Sequence, residues 1–325
     1  MTQVLPALPR GLRGLRPTGA LWTALRLHRI ALWVWIAVVL ATTVLLLWLY
    51  GPGADAAARH LARCGSMDNC TDVGGGYGRY ENLYLLTDAV IAAVPYAAAL
   101  FVGGLCVGRE LERGTAQLTW VQSITPTRWL ATTVAVPAAW FLAGLVPLVT
   151  LHRLVWSSGP LPHAYPWYDP DVFATSGTLP FARVLLGIAV GALAGLLFRK
   201  ALTGGLAGVP VLLVVGTLGL RYRESLWPTV TDHGLKALKP PSDAHALVHG
   251  AVTADGERIT NNLACVDADS AHELGRCTSG FQDFWVTYHP SSHYWPLQLM
   301  ETAIVLALTA AVTAAAFHTL RRRTP

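Results

Sequence analysis

The sequence predicts an all-α membrane protein with six transmembrane helices, and three observations carry that prediction. Six apolar runs, at 30–49, 89–107, 130–151, 184–198, 202–220 and 297–317, approach the ~20 residues a helix needs to cross a bilayer. Composition agrees: 53% of residues are apolar, only 13% are charged and the mean hydropathy is +0.43, outside the usual soluble range. The basic residues, finally, are packed into a few short segments. Thirteen Lys and Arg, from Arg10 through Arg109, Arg113, Arg128, Arg199 and Lys200 to Arg323, fall at one end of the runs against only Glu110 and Glu112. Short loops rich in Lys and Arg stay in the cytoplasm, so the N-terminus and the C-terminus are both expected there. The net charge of +5 then reports topology, and nucleic-acid binding is an unneeded explanation for it.

The elements follow in order. Residues 1–29 form a cytoplasmic segment in which 18–29 (TGALWTALRLHR) spaces Leu21, Trp22, Leu25 and His28 for an amphipathic surface helix; an extension of the first membrane helix fits equally. The run at 30–49 starts late and lacks a small-residue cleavage pattern behind it, so it reads as a retained helix and not as a signal peptide. A Gly-rich polar outer loop, 51–81, follows. Asp88 opens the second run and Glu301 lies at the start of the sixth. Carboxylates in membrane helices are costly and often functional. These two sit near predicted outer ends, which leaves a place on a substrate path, a mutual hydrogen bond, or a location within reach of water.

The inner loop 108–128 reads GRELERGTAQLTWVQSITPTR. A charged end of Arg109, Glu110, Glu112 and Arg113 is broken by Gly114, then a short amphipathic run places Leu118 and Val121 on one face before Pro126 turns the chain into the third helix. This describes a ledge that could dock on a partner or serve as a plain connector. Pro137 and Pro147 in the third helix and Pro210 in the fifth allow kinks. The second outer loop, 153–180, is Pro- and aromatic-rich. In the fourth helix Gly187, Gly191 and Gly195 make two overlapping GxxxG steps, a close-packing surface within one subunit or between two.

The outer segment 221–296 has mixed charge, and its aromatics Trp285, Tyr288, Tyr294 and Trp295 read as an interfacial belt before the sixth helix and the basic tail of 297–325. The domain plan is thus 1–29, 30–220 with the ledge at 108–128, 221–296 and 297–325. Of five cysteines, Cys64 and Cys70 share the first outer loop and Cys265 and Cys277 the third segment; in an oxidising space each pair could close a local bridge, with free thiols or cross-loop pairing as alternatives. Seven histidines of the second and third outer segments include the i,i+4 pair His245 and His249, yet no adjacent Glu or Cys completes a metal pattern, and solvated side chains are expected.

The segment RELERGTAQLTWVQSITPTRWL resembles the coupling segment of ABC-2 type transporter permeases of the actinobacterial kind. Glu112, Gly114 and Thr115 match its first part, and Trp120, Gln122, Ser123, Arg128 and Trp129 resemble its later positions. YHPSSHYWPLQLMET is similar to the family's lead into the last helix through Trp295, Pro296, Gln298 and Glu301, although Thr132, Thr133 and His293 depart from the pattern. The resemblance implies a permease exporting a hydrophobic or amphipathic substrate, paired as a homodimer or heterodimer and driven by a separate ABC ATPase. In that scheme Arg109, Glu110, Glu112 and Arg113 anchor the ATPase contact, with Leu118 and Trp120 as apolar inserts. It fits an absence: the chain holds no GxxxxGK[ST] phosphate loop, so ATP and magnesium belong on the partner and no cofactor is expected here. The competing classes are a membrane-embedded enzyme and a membrane anchor or sensor capped by the outer segment. Neither GxSxG nor HExxH occurs to support the enzyme.

Overall fold

The first helix does not stop where its apolar run stops. In the structure, a computed structural model that describes residues 28–64, 75–122, 124–158, 165–260, 265 and 271–323, α1 (Arg29–Trp48) passes through a π-helical turn, Leu49–Gly53, into α2 (Ala54–Cys64). Pro52 lies inside that turn, where its missing N–H is absorbed by the wider winding instead of breaking the helix. The expected polar loop at 51–81 is therefore corrected: helix occupies most of its described part, because α3 (Gly76–Leu100) also begins early. Through a second π-helical run, Phe101–Gly108, α3 continues into α4 (Arg109–Glu112). A short α5 (Thr115–Gln122) then precedes α6 (Pro126–Ser158), α7 (Pro170–Thr175) and α8 (Leu179–Phe198). The chain goes on through α9 (Ala201–Leu206) and α10 (Gly208–Tyr222).

Among the described residues, six helical spans are long and apolar enough to cross a membrane, as the hydropathy pattern required. Their burial is unequal. About two thirds (67%) of the apolar window in α8 is inside the protein, against 11% in the span that contains α1. Accordingly α8 is the hub, packed on α3, α6, α9 and the last helix, while α1 presents Ile30, Trp33, Val34 and Leu40 outward. At the end of α8, Arg199 adopts a left-handed conformation (φ 53°), and the chain turns straight into α9.

The expectation of an all-α chain is corrected in the 221–296 segment. Strands β1 (Val230–His233), β2 (His245–Thr253), β3 (Arg258–Thr260) and β4 (Phe281–His289) form an antiparallel sheet in the order β1-β4-β2-β3, with α11 (Ala271–Thr278) beside it. Val286 lies opposite Asp232 on one side and His249 on the other. Phe284, Val286 and Tyr288 alternate inward along β4 and meet Leu238 and Ala251 in a small core. The predicted interfacial belt is corrected as well: Tyr288 is buried in this core and donates to Asp232 Oδ2 at 3.0 Å, and the Trp285 ring lies over Gly250. Only Tyr294 and Trp295 belong to a membrane helix, α12 (Tyr294–Arg323).

Cys265 and Cys277 are joined, their Cα atoms 5.7 Å apart, which ties α11 to the sheet core. Cys64 is disulfide-bonded, and Cys70 lies outside the described residues, as does the amphipathic stretch before His28. A bridge closing a loop of this length stabilises by about 2–3 kcal/mol. Cys277→Ser is expected to make the 221–296 segment the first site of limited proteolysis, with cuts mapped by mass spectrometry; unchanged resistance would show that the sheet needs no bridge.

Candidate functional site

The ledge is braced on one side and bare on the other. Trp129 Nε1 donates to Glu110 Oε2 at 2.8 Å, and the Ala201 backbone N–H donates to Glu112 Oε2 at 2.8 Å, so both carboxylates expected to face a partner are tied to their own chain. Glu112 thereby serves the first turn of α9, a favourable place for a negative charge. Gly114 turns the chain at φ +70°, a conformation that favours glycine, and Thr115 Oγ1 reaches back to the Glu110 carbonyl at 3.1 Å. Leu111 and Ala116 point inward, and Trp120 packs edge-on against Trp129. Exposed on the ledge are Arg109, Glu112, Arg113, Thr115 and Gln117 together with Leu118 and Val121, the last two 64% and 87% exposed. Of the predicted apolar inserts, Leu118 is free and Trp120 is largely occupied within the fold.

The three glycines of α8 form a seam with α3 of the same chain. A Cβ on Gly187 would strike the Pro95 carbonyl, one on Gly191 the Ala99 carbonyl, and one on Gly195 would lie 2.8 Å from both Gly103 O and Val107 Cβ. Gly103, Gly104 and Gly108 in the π-helical run face Gly204, Ala201 and Lys200 in the same fashion. Backbone packing this close needs small residues on both sides, and the contact satisfied here is internal.

Asp88 and Glu301 are both buried, at 6% and 4% exposure, and they do not meet. Asp88 Oδ1 accepts from Thr175 Oγ1 at 2.5 Å and lies 3.4 Å from His152 Nε2, whose ring stacks on Tyr84. Glu301 bridges two guanidiniums: Arg183 Nη2 at 2.9 Å and Arg223 Nε at 3.1 Å, with Arg223 over the Phe173 ring. Gln298, one turn earlier on α12, donates to the carbonyls of Phe173 and Ser176. Together these bonds fasten α3, α6, α7, α8 and α12 at the end of the bundle that carries the sheet. Nearby, Tyr165 donates to Glu81 Oε1 at 2.6 Å; burial first, and then that carboxylate, push its phenol above the ordinary range and keep it a donor.

Sequence reasoning named both carboxylates but missed His152, Thr175, Arg183 and Arg223. The helix bearing Arg183 begins at Leu179 and not at 184, which draws that arginine one turn into the span. A lone histidine in the apolar run of α6 was the available signal for His152.

Comparison with protein-family models matches residues 36–222 to the one described as ABC-2 membrane transporter related. That match covers more than half of the chain. The chain belongs to the ABC-2 membrane transporter related family. No curated protein and no solved structure matches it. For this ABC-2-related chain the matched region runs from α1 to the end of α10 and includes the ledge, while the sheet and α12 lie beyond it. Membership points to a multi-pass permease subunit of an ABC transporter, for which a separate ATPase and a membrane environment are implied.

Proposed function

We propose that the ledge at 108–128 is where an ABC ATPase docks and delivers the work of its nucleotide cycle to the helix bundle, with both chain ends in the cytoplasm and the sheet outside. The observation that supports this most is the contrast within the ledge: Glu110 and Glu112 are bonded to their own chain, while Leu118 and Val121 present bare apolar area. A mount bonded in this way, with an apolar face, transmits displacement to α3 and α6 on either side. ATP and magnesium act on the partner, two permease chains pair, and an amphipathic or hydrophobic substrate is exported, as expected from members of the actinobacterial kind. Asp88 and Glu301, already partnered inside the bundle, act in this scheme as ties between helices at the sheet end. A ligand that shifts the bundle must bind its two states unequally, so loosening those ties would favour one state.

The test leaves the bracing carboxylates alone. Leu118→Asp with Val121→Asp is expected to reduce co-purification of the ATPase by roughly tenfold or more, since each removes a buried apolar contact and buries a charge, while the chain itself stays folded. Thr115→Cys should react with a membrane-impermeant maleimide only after the cell is opened. An undiminished complex, or labelling of intact cells, would refute the assignment.

A further inference from the structure

At the sheet end of the bundle lies a cavity of about 470 Å³, within the range that holds a drug-sized ligand. Arg153 and Trp156 of α6, Trp167, Val172 of α7, and Tyr294 and Trp295 of α12 supply half of the residues in its wall. Three of the rings have a hydrogen-bond partner. Trp156 Nε1 donates to the Tyr165 carbonyl at 2.8 Å, Trp167 Nε1 to the Asp243 carbonyl at 2.7 Å, and Tyr294 Oη accepts from Arg153 Nη1 at 2.7 Å. The indoles of Trp156 and Trp167 therefore offer a guest carbon surface alone.

Arg153, Ser176 and the Tyr294 hydroxyl retain unused capacity on the wall. The Arg153 guanidinium has five N–H donors and spends one on Tyr294; it is held in place by the faces of Tyr294 and Trp295, 4.7 and 5.1 Å from their centroids. Ser176, 2% exposed, has a buried hydroxyl with no partner among the described residues. The other charge on the wall, Asp243, is at the exposed rim and accepts from Ser291 Oγ. A pre-oriented cation beside an apolar chamber is complementary to a molecule with an apolar body and one negative group.

We propose that this cavity binds an amphipathic anion, its carboxylate or phosphate on Arg153 and its hydrocarbon against Trp156, Trp167 and Val172. The site stands apart from the ledge and does not depend on an ATPase. Such a ligand has two sources, an anionic phospholipid of the adjoining leaflet or a free lipophilic acid.

The experiment uses the full chain in phosphatidylcholine nanodiscs doped with photoactivatable phosphatidylglycerol, fatty acid or phosphatidylcholine, and maps the labelled peptides. Phosphatidylglycerol, the fatty acid or both should label peptides containing Trp156 or Val172; which of them does so identifies the source. Arg153→Gln should reduce that labelling about tenfold, the effect of losing a charge-assisted contact. Ser292→Trp, which fills the chamber from the exposed rim and removes no side-chain hydrogen bond, should reduce it as far. The proposal fails if neither anion labels these peptides, if phosphatidylcholine labels them equally, or if only Ser292→Trp has an effect, since that would mark a purely apolar site.

Discussion

Glu301→Gln is expected to destabilise the bundle by about 3–5 kcal/mol, the usual cost of removing one partner from a buried ion cluster. The carboxylate holds two guanidiniums in a region where its own side chain is 5% exposed and those of Arg183 and Arg223 are 20% and 9%. Glutamine keeps the volume and one acceptor but withdraws the charge, so two cations are left facing each other in a poorly solvated pocket. Equilibrium unfolding in mixed detergent micelles reads the loss directly. The double variant Glu301→Gln with Arg183→Gln should recover part of it, because one uncompensated cation is removed. A single variant within about 1 kcal/mol of the parent would mean that water already reaches the cluster and that the ion pairs count for little.

Gly191→Leu is the second large effect, about 3 kcal/mol or more of lost stability from overpacking a seam without slack. A Cβ at this position would lie 3.0 Å from Ala99 Cα and closer still to the Ala99 carbonyl oxygen, and both are backbone atoms that cannot rotate away. The helices must separate, and because α8 packs on most of its neighbours the disturbance reaches the whole bundle. Gly191→Ala should cost less than leucine yet remain measurable. Gly216→Leu is the control: a Cβ there meets nothing within 4 Å, so its unfolding midpoint should barely move. Equal tolerance at 191 and 216 would show that α3 and α8 are not in backbone contact.

Those two positions also mark what was legible in the chain. The six spans follow from hydropathy alone, since a bilayer allows few alternatives to an apolar helix. The GxxxG spacing announced a close contact but not its partner; choosing α3 of the same chain required knowing that Pro95, Ala99 and Gly103 present a matching small-residue edge. Asp88 and Glu301 were visible as anomalies, yet their partners come from other helices, so no local pattern could pair them. The sheet was missed for a different reason. Its period-two signal is brief, Phe284, Val286 and Tyr288, and it is embedded in aromatic residues that suit a membrane boundary equally well. On the ledge the charged residues stood out by sequence, but the bonds of Glu110 to Trp129 and of Glu112 to the Ala201 N–H are set by tertiary neighbours and have no local signal.

The eight-residue π-helical run Phe101–Gly108 sits immediately before α4, and it is wound one residue wider per hydrogen-bonded ring than an α-helix. Surplus of that kind behaves like a turn of thread. Moving one residue of register out of the run would rotate everything downstream by about 100° about the axis, the angle a single residue subtends in an α-helix. Leu118 and Val121 would be carried sideways with it, and the close backbone contacts of Gly103, Gly104 and Gly108 with Gly204, Ala201 and Lys200 are what pin the winding at its present register.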